Sequence, residues 1–309
     1  MPGKLSLKKR KGITRVFQDY QLYLLIVPAF AFVFIFQYIP MYGVQIAFKD
    51  YNVLDGFWES GWVGLDHFVR FFESPNFATL IGNTLGLSLY QSVVGFPVPI
   101  IFAIMIHEVA NKKFKSAVQM VAYAPHFIST VVIVSMLVLF LHSDRGLINN
   151  LIAALGGPRV DFISRPEWFK TVYVFSGVWQ NAGWGTIIYL AALSSVDPQL
   201  TEASRIDGAN RLQKIWHVDL PGIAPTIIIL LILDMGSLLS VGFEKVLLMQ
   251  NPLNMSSADV IQTYVYRIGI VGGQFSYSAA IGLFNALVNF IMLVIVNQIA
   301  RRRSETSLW

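Results

Sequence analysis

Long apolar runs separated by short polar stretches fill the chain from residue 20 onward. A helix that crosses the hydrocarbon core of a bilayer needs roughly 20 mainly apolar residues. Six segments meet this requirement, at about residues 20–47, 80–106, 117–141, 171–193, 223–248 and 278–299. Runs such as residues 226–233 lack the strict alternation that membrane β-strands show. The pattern therefore predicts an all-α integral membrane protein with six transmembrane helices.

The composition agrees with a membrane protein and excludes several other classes. Hydrophobic residues make up 55% of the 309 residues and charged residues only 13%, whereas a soluble domain carries about 25% charged residues. A disordered chain and a coiled coil would also need more charge. The chain has no cysteine, which excludes disulfides, thiolate metal sites and cysteine nucleophiles.

The basic residues predict how the six helices are oriented. If both termini are cytoplasmic, most of the 23 lysine and arginine residues lie on the inner side, in the terminal segments and in two short loops. We therefore expect a basic cytoplasmic segment at 1–19, a single transmembrane domain at 20–300 and a cytoplasmic tail at 301–309. The first apolar run is too long for a signal peptide.

Three long segments fall on the outer side in this arrangement, at residues 48–79, 142–170 and 250–277. The first is rich in aromatic residues, which is typical of a stretch that lies at the membrane interface. Two interpretations of these segments remain open. They receive an external partner, or they only cover the helix bundle.

The inner loop at residues 197–221 has the signals of a short helix. Asp197 is a favourable N-cap, and Pro198 suits the first helical position. Gly208 permits a turn after that helix, and Pro221 is predicted to open the fifth transmembrane helix. A short helix across the inner mouth of a bundle is suited to docking or to leverage, and not to catalysis.

The same loop resembles a known family motif. The EAA loop in the permease subunits of ATP-binding-cassette importers reads Glu-Ala-Ala, three residues, Gly, nine residues, Ile, one residue and Leu-Pro. The matching positions here are Glu202, Ala203, Ser204, Gly208, Val218, Leu220 and Pro221. Two positions depart from the motif, since Ser204 replaces the second alanine and Val218 replaces isoleucine. Both replacements change the side-chain volume only slightly.

The resemblance extends over nearly the whole chain. Residues 123–129, 184–193, 263–267 and 308–309 are similar to bacterial permeases for complex oligosaccharides. The resemblance implies a type I ABC importer permease fold in the bacterial cell membrane. It also implies a second homologous permease, two ATPase subunits that hold ATP and Mg, and an extracytoplasmic sugar-binding protein, expected to be a lipoprotein.

The resemblance assigns contact with the ATPase to the inner loop. The residues that it implicates are Glu202, Ala203, Ser204, Asp207 and Gly208. Without the motif spacing, Glu202 would be interpreted as a surface carboxylate on a solvated helix.

Polar side chains inside the predicted spans are candidates for a substrate path. Charged groups at membrane depth are costly and usually functional, while aromatic rings and amides suit sugar rings and hydroxyls. The candidates are Asp234, Gln180, Trp184, Asn83, Tyr90 and Gln91. Asp234 falls near the middle of the fifth predicted span, as an acceptor for sugar hydroxyls or as a buried partner of another helix. Trp184 is either a path residue or an interface anchor.

The sequence contains no catalytic set, no closely spaced histidine pair and no P-loop motif. We therefore expect no enzymatic activity and no cofactor in this chain, and no nucleic-acid partner. The predicted function is translocation of an oligosaccharide, powered by separate ATPase subunits. The alternative is an ion-coupled secondary transporter of a small polar solute, which would need paired carboxylates and usually an inverted repeat.

Overall fold

The computed structural model describes residues 20–303 and 307–308. The predicted basic segment at 1–19 lies outside the described residues, and so do residues 304–306 and 309 of the predicted tail. The described residues form helices and turns without a β-strand, apart from one isolated bridge between Lys49 and Trp62. The all-α prediction is confirmed.

Fourteen helices follow one another along the described chain, with several of the long ones containing a 3-10 or π turn. They are α1 (Tyr20–Phe48), α2 (Gly56–Glu59), α3 (Asp66–Phe72), α4 (Phe77–His107), α5 (Lys112–Phe127), α6 (Thr130–Phe140), α7 (Leu147–Ala154), α8 (Pro166–Ser194), α9 (Pro198–Ile206), α10 (Arg211–Met235), α11 (Phe243–Met249), α12 (Met255–Ala258), α13 (Ile261–Val265) and α14 (Phe275–Arg303).

Four of these helices are long and apolar enough to cross a membrane, namely α1, α4, α10 and α14. The pair α5 and α6 makes a fifth crossing if the two helices count as one span. Helix α8 covers the fourth predicted segment and is 29 residues long, but its polar side chains make it less apolar than the others. The structure thus supports four or five of the predicted spans by length and composition.

The third predicted span is not a single helix. Helix α5 ends at Phe127, α6 begins at Thr130, and the two axes differ by 97°. Pro125 lies in the last turn of α5, where it removes a backbone donor. Ser129 then caps α6 by accepting a hydrogen bond from the backbone N–H of Val132. The prediction of one continuous helix over 117–141 was wrong for these local reasons.

The fifth predicted span has different ends from those expected. Helix α10 begins ten residues before Pro221, because Asn210 and Gln213 form a reciprocal capping box. A π-helical turn at Ile215–Asp219 precedes Pro221, so the proline lies within the helix. The helix ends at Met235, and residues 236–242 are not helical. The predicted boundaries of 223–248 were therefore wrong.

The core lies around α8, which packs against α4, α5 and α10. One cluster of buried side chains includes Leu87 and Val174, and a second includes Leu193 and Ile223. A third cluster joins α3, α13 and α14 to the first turns of α4. In contrast, α1 buries no side chain between Tyr20 and Val33, so it presents its apolar surface to lipid or to another subunit.

Helices α5 and α8 approach each other most closely at Gly183. A Cβ atom added there would lie 2.0 Å from the carbonyl oxygen of Ala122 and 2.5 Å from its carbonyl carbon. Both are backbone atoms, so a side chain at position 183 would force the helices apart. The glycine therefore fixes the position of α5 and of the bend that follows it.

We predict that Gly183→Ala destabilises the protein by about 1–3 kcal/mol, the usual cost of overpacking. Gly82→Ala is the matched control, because it adds the same methyl group to the interior of α4 where nothing lies within 4 Å. Thermal unfolding of the detergent-solubilised protein measures the difference. Equal melting temperatures for the two variants would show that the α5–α8 contact does not constrain the fold.

Candidate functional site

A polar cavity of about 640 Å³ lies among α4, α8, α10 and α11. The bend between α5 and α6 and the segment 236–242 complete its wall. Its polar or charged lining residues are Ser88, Gln91, Ser92, His126, Ser129, Thr130, Tyr173, Gln180, Asn181, Asp234, Ser237, Ser240, Glu244 and Lys245. This lining is suited to a hydrophilic solute and not to a lipid chain.

The cavity lies where the helical spans are interrupted. Non-helical backbone inside a membrane protein is stable only where protein buries it or where it lines a water-filled space. The α5–α6 bend and the segment 236–242 both border the cavity. The sequence carried a signal for the second interruption, since residues 236–242 contain two glycines and two serines.

Asp234 lies one residue before the end of α10, and not in the middle of a helix as predicted. Its Oδ2 accepts a hydrogen bond of 2.7 Å from the hydroxyl of Ser92 on α4. Both side chains line the cavity. Asp234 therefore joins two helices and also places a carboxylate at the cavity wall.

Both glutamines among the predicted path residues, Gln180 and Gln91, line the cavity. The side-chain amide of Gln180 donates to the carbonyl oxygen of Ile128 at 3.0 Å, which supports the exposed backbone at the bend. Gln91 on α4 also lines the cavity, and its Oε1 is buried without a hydrogen-bond partner. The hydroxyl of Ser88, one turn away on α4, is also buried without a hydrogen-bond partner.

Asn83 and Tyr90 are outside this cavity. The side-chain amide of Asn83 donates to the carbonyl oxygens of Ser256 and Asp259, at 2.9 Å and 3.1 Å. It therefore ties α4 to the segment that contains α12. Tyr90 packs against the hydrophobic cluster around α8, with its ring 6.5 Å from that of Phe175. Asn83 and Tyr90 therefore do not share a site with Asp234 and Gln91.

Trp184 is also absent from the cavity lining, but it supports a residue that is part of it. Its ring stacks on His126 with a centroid distance of 4.5 Å and an interplanar angle of 5°. The Nδ1 of His126 lies 3.0 Å from the side-chain oxygen of Asn181. The sequence analysis missed His126 and Asn181, because their proximity depends on the α5–α6 bend.

The loop at 197–221 forms the predicted short helix, α9. The Asp197 side chain accepts from the backbone N–H of Gln199 at 2.9 Å, and Pro198 occupies the first helical position. After α9 ends, Gly208 adopts a φ of +79°. This left-handed conformation explains why the position favours glycine. The predicted N-cap and turn are both confirmed.

The first part of the EAA motif, from Glu202 to Gly208, lies on and directly after α9, and its last positions, Val218 to Pro221, lie in α10. Glu202, Ala203 and Asp207 are exposed, and the Ser204 hydroxyl donates to the carbonyl oxygen of Thr201. Large apolar side chains surround them and are more than half exposed, namely Leu200, Ile206, Leu212 and Trp216. An apolar surface of this kind is typical of a protein contact site.

A buried ion-pair cluster connects this segment to the rest of the bundle. Lys214 on α10 pairs with Glu108, the residue that follows α4, and its Nζ lies 3.3 Å from Oδ2 of Asp219. The Lys214 and Asp219 side chains are only 11% and 3% exposed. Removing one member would leave a buried charge uncompensated. The sequence analysis missed this cluster because Glu108 is far from the loop along the chain.

Comparison with family models identifies residues 95–305 as a binding-protein-dependent transport system inner membrane component. Among curated proteins, the chain is 44% identical over 302 residues to the polygalacturonan/rhamnogalacturonan transport system permease protein YteP of Bacillus subtilis (strain 168). That match covers 98% of this chain and 94% of YteP. Protein LplB of the same organism is 45% identical over 292 residues, covering 94% of this chain and 92% of LplB.

Two solved structures are similar in fold and in sequence. One is a bacterial alginate ABC transporter in complex with an alginate pentasaccharide-bound periplasmic protein, with a TM-score of 0.89 and 40% identity. The match covers 97% of this chain and 100% of that one. The second is a bacterial ABC transporter involved in the import of alginate, an acidic polysaccharide. Its TM-score is 0.87 and its identity is 41%, covering 94% and 98% of the two chains.

The family match covers more than half of the chain, and the relatives cover nearly all of it. The apolar helices, the polar cavity and the exposed helix α9 are features that a membrane permease requires. The chain belongs to the family of binding-protein-dependent transport system inner membrane components and is a permease of the ABC sugar-importer type.

Proposed function

We propose that this permease crosses the membrane six times, with both termini in the cytoplasm. Four long apolar helices, the bent pair α5–α6 and the 29-residue α8 supply the six crossings. Helix α8 is less apolar because Gln180 and Asn181 face the polar cavity and not lipid. An even number of crossings returns the chain to its starting side, in agreement with the distribution of basic residues.

The transported solute is a complex oligosaccharide, and the polar cavity is part of its path. The observation that carries this proposal is the cavity lining, where carboxylate, amide and hydroxyl groups lie beside aromatic rings. Such groups bind sugar hydroxyls and sugar ring faces. The relative YteP serves polygalacturonan and rhamnogalacturonan, and the solved relatives serve alginate. These relatives favour a fragment of a complex polysaccharide as the solute of this permease.

The complete importer contains more chains than this one. A second homologous permease closes the open side of the cavity and covers α1, whose side chains are exposed from Tyr20 to Val33. Two ATPase subunits hold ATP and Mg and dock on α9. An extracytoplasmic sugar-binding protein delivers the oligosaccharide to the outer segments, as the periplasmic protein does in the alginate complex.

Coupling runs from α9 into the spans. Closure of the ATPase subunits displaces α9, and Gly208 lets the chain turn from α9 into α10 without strain. The buried cluster of Lys214, Glu108 and Asp219 then makes α10 and α4 move together. Because both helices line the cavity, this movement opens it to one side or the other.

We predict that Gly208→Pro leaves the protein in the membrane but abolishes ATPase stimulation by the sugar-loaded binding protein. Proline fixes φ near −65°, whereas Gly208 needs +79° and its N–H bonds to Arg205. Gly156→Pro is the matched control, since Gly156 follows the outer helix α7 with a φ of +82° and a hydrogen bond to Ala153. Equal stimulation in both variants would contradict the coupling role.

Glu202→Ala tests the contact between α9 and the ATPase subunit without changing the backbone. Loss of a charged interface contact costs about 1–2 kcal/mol, so we predict that ATPase stimulation by the sugar-loaded binding protein falls about tenfold. Normal stimulation in Glu202→Ala would return Glu202 to the role of a solvated surface carboxylate.

We predict that Lys214→Met destabilises the assembled importer by about 3 kcal/mol, because Glu108 and Asp219 lose the one cation that pairs with them among the described residues. Thermal unfolding of the purified complex measures this change, and ATPase stimulation is measured alongside it. Lys113→Met is the control, since Lys113 is exposed and forms no ion pair within residues 20–303. An unchanged melting temperature in Lys214→Met would show that the cluster does not link the two helices.

We predict that Asp234→Asn lowers sugar uptake about tenfold, because the cavity loses a charge-assisted hydrogen-bond acceptor. The abundance of the protein in the membrane stays unchanged, since asparagine still accepts the hydrogen bond from Ser92. Uptake of labelled oligosaccharide by intact cells is the measurement. Asp144→Asn, which alters an exposed carboxylate in the outer segment, is the control. Full uptake in Asp234→Asn would leave Asp234 with a structural role alone.

A further inference from the structure

Lys245 brings a positive charge to the cavity wall without a negative charge beside it. Only 8% of the residue is exposed. Its Nζ donates to the carbonyl oxygen of Tyr173 at 3.0 Å and lies 4.8 Å from the centre of the Tyr173 ring. Within the described part of the chain, Lys245 forms no ion pair with an acidic side chain. Burial of an ammonium group is costly unless an opposite charge compensates it.

The two carboxylates that line the cavity do not supply this charge. Asp234 lies on a different helix and accepts its hydrogen bond from Ser92. Glu244 precedes Lys245 on α11, but it is exposed, so water screens its charge. Lys245 is therefore held in position by neutral groups and keeps a free positive charge at the wall.

Unpartnered hydrogen-bonding groups lie close to this ammonium group. The Oε1 of Gln91 and the hydroxyl of Ser88 are buried without a partner, and Ser88 is only 6% exposed. Gly177 leaves a gap between them and Lys245. A Cβ atom built on Gly177 would lie 3.4 Å from the Nζ of Lys245 and 3.5 Å from the Oε1 of Gln91. The lysine and the glutamine thus converge on one small space beside α8.

We infer that Lys245, Gln91 and Ser88 form a binding site for an acidic sugar, with Lys245 and Ser88 at its carboxylate group. The inference rests on the proposed function, since it names the class of oligosaccharide that the cavity carries. One carboxylate oxygen accepts from the Lys245 ammonium group and the other from the Ser88 hydroxyl, while the unpartnered Oε1 of Gln91 accepts from a hydroxyl group of the same sugar. A neutral sugar would satisfy Gln91 and Ser88 but leave the ammonium charge uncompensated. The site therefore selects a uronate over its neutral analogue.

Two probes that differ only in charge test this selectivity. Trigalacturonate carries the carboxylates, and its methyl ester has the same length and ring structure without them. Binding of each probe is measured calorimetrically on the complete importer, with both permeases and both ATPase subunits, in lipid nanodiscs and without the binding protein. The wild-type importer binds trigalacturonate at least about tenfold more tightly than the ester, as expected for one charge-assisted hydrogen bond.

Substitutions at position 245 assign the preference to this lysine. Lys245→Met removes the preference between the probes, and Lys245→Arg retains it. Lys245→Gln is the second uncharged variant, because it keeps a donor for the carbonyl oxygen of Tyr173 and so preserves the local fold. Lys170→Met is the control, since Lys170 is a half-buried lysine on α8 that does not line the cavity.

Three results would overturn the inference: equal binding of both probes by the wild type, no binding of either probe, or a preference that survives Lys245→Gln. A preference lost in Lys170→Met as well would also contradict it, because the effect would then be general. ATP-driven uptake of labelled oligosaccharide into proteoliposomes distinguishes failure of this inference from failure of the proposed function. Uptake without a charge preference refutes the role of Lys245 alone, whereas absence of ATP-driven uptake refutes the proposed function.

Discussion

The need to satisfy every backbone hydrogen bond determines where this protein can hold a polar cavity. Lipid offers no partner for a free N–H or carbonyl group, so a spanning helix can break only where protein or water replaces the lost bonds. Here the two breaks face each other. The side-chain amide of Gln180 satisfies the carbonyl of Ile128 at the α5–α6 bend. In the segment 236–242, the phenol of Tyr173 accepts from the N–H of Gly242. The cavity is therefore a consequence of how the breaks are satisfied.

A different balance of forces acts at the end of the bundle that carries α9. Helix α9 is short and amphipathic, and its stability depends on the Asp197 cap and on contacts with α10. Beyond α9, Lys214 near the start of α10 pairs with Glu108 after α4, and its Nζ lies 3.3 Å from Asp219 of its own helix. An apolar contact allows sliding, whereas a largely buried ion pair has a defined geometry, so this end of α10 has a fixed position against α4.

The sequence was sufficient to predict the elements that depend on local signals. Apolar length predicted α1, α4 and α14, and capping residues predicted α9 and the turn at Gly208. The interruptions of the third and fifth spans were not predicted, because hydropathy does not distinguish a continuous apolar helix from a broken one. Asp234 was consequently expected in the middle of a helix instead of at its end.

The composition of the candidate site was only partly predictable for a related reason. Asp234, Gln180 and Gln91 were chosen as polar residues within apolar runs, and all three lie at the cavity wall. Lys245 fell near the end of the fifth predicted span, at 223–248, and was not considered as a site residue. His126 belongs to the site only because α5 bends away after Phe127. Residues that meet across a break depend on tertiary geometry, which the order of residues along the chain does not reveal.

The length of α1 has a mechanical consequence. At about 1.5 Å per residue, its 29 residues extend roughly 40 Å, whereas the hydrocarbon core of a bilayer is about 30 Å thick. A helix with excess apolar length tilts to match its surroundings. Because the described residues bury none of the side chains from Tyr20 to Val33, bilayer thickness controls the tilt of α1, and thinner or thicker membranes will present it at different angles.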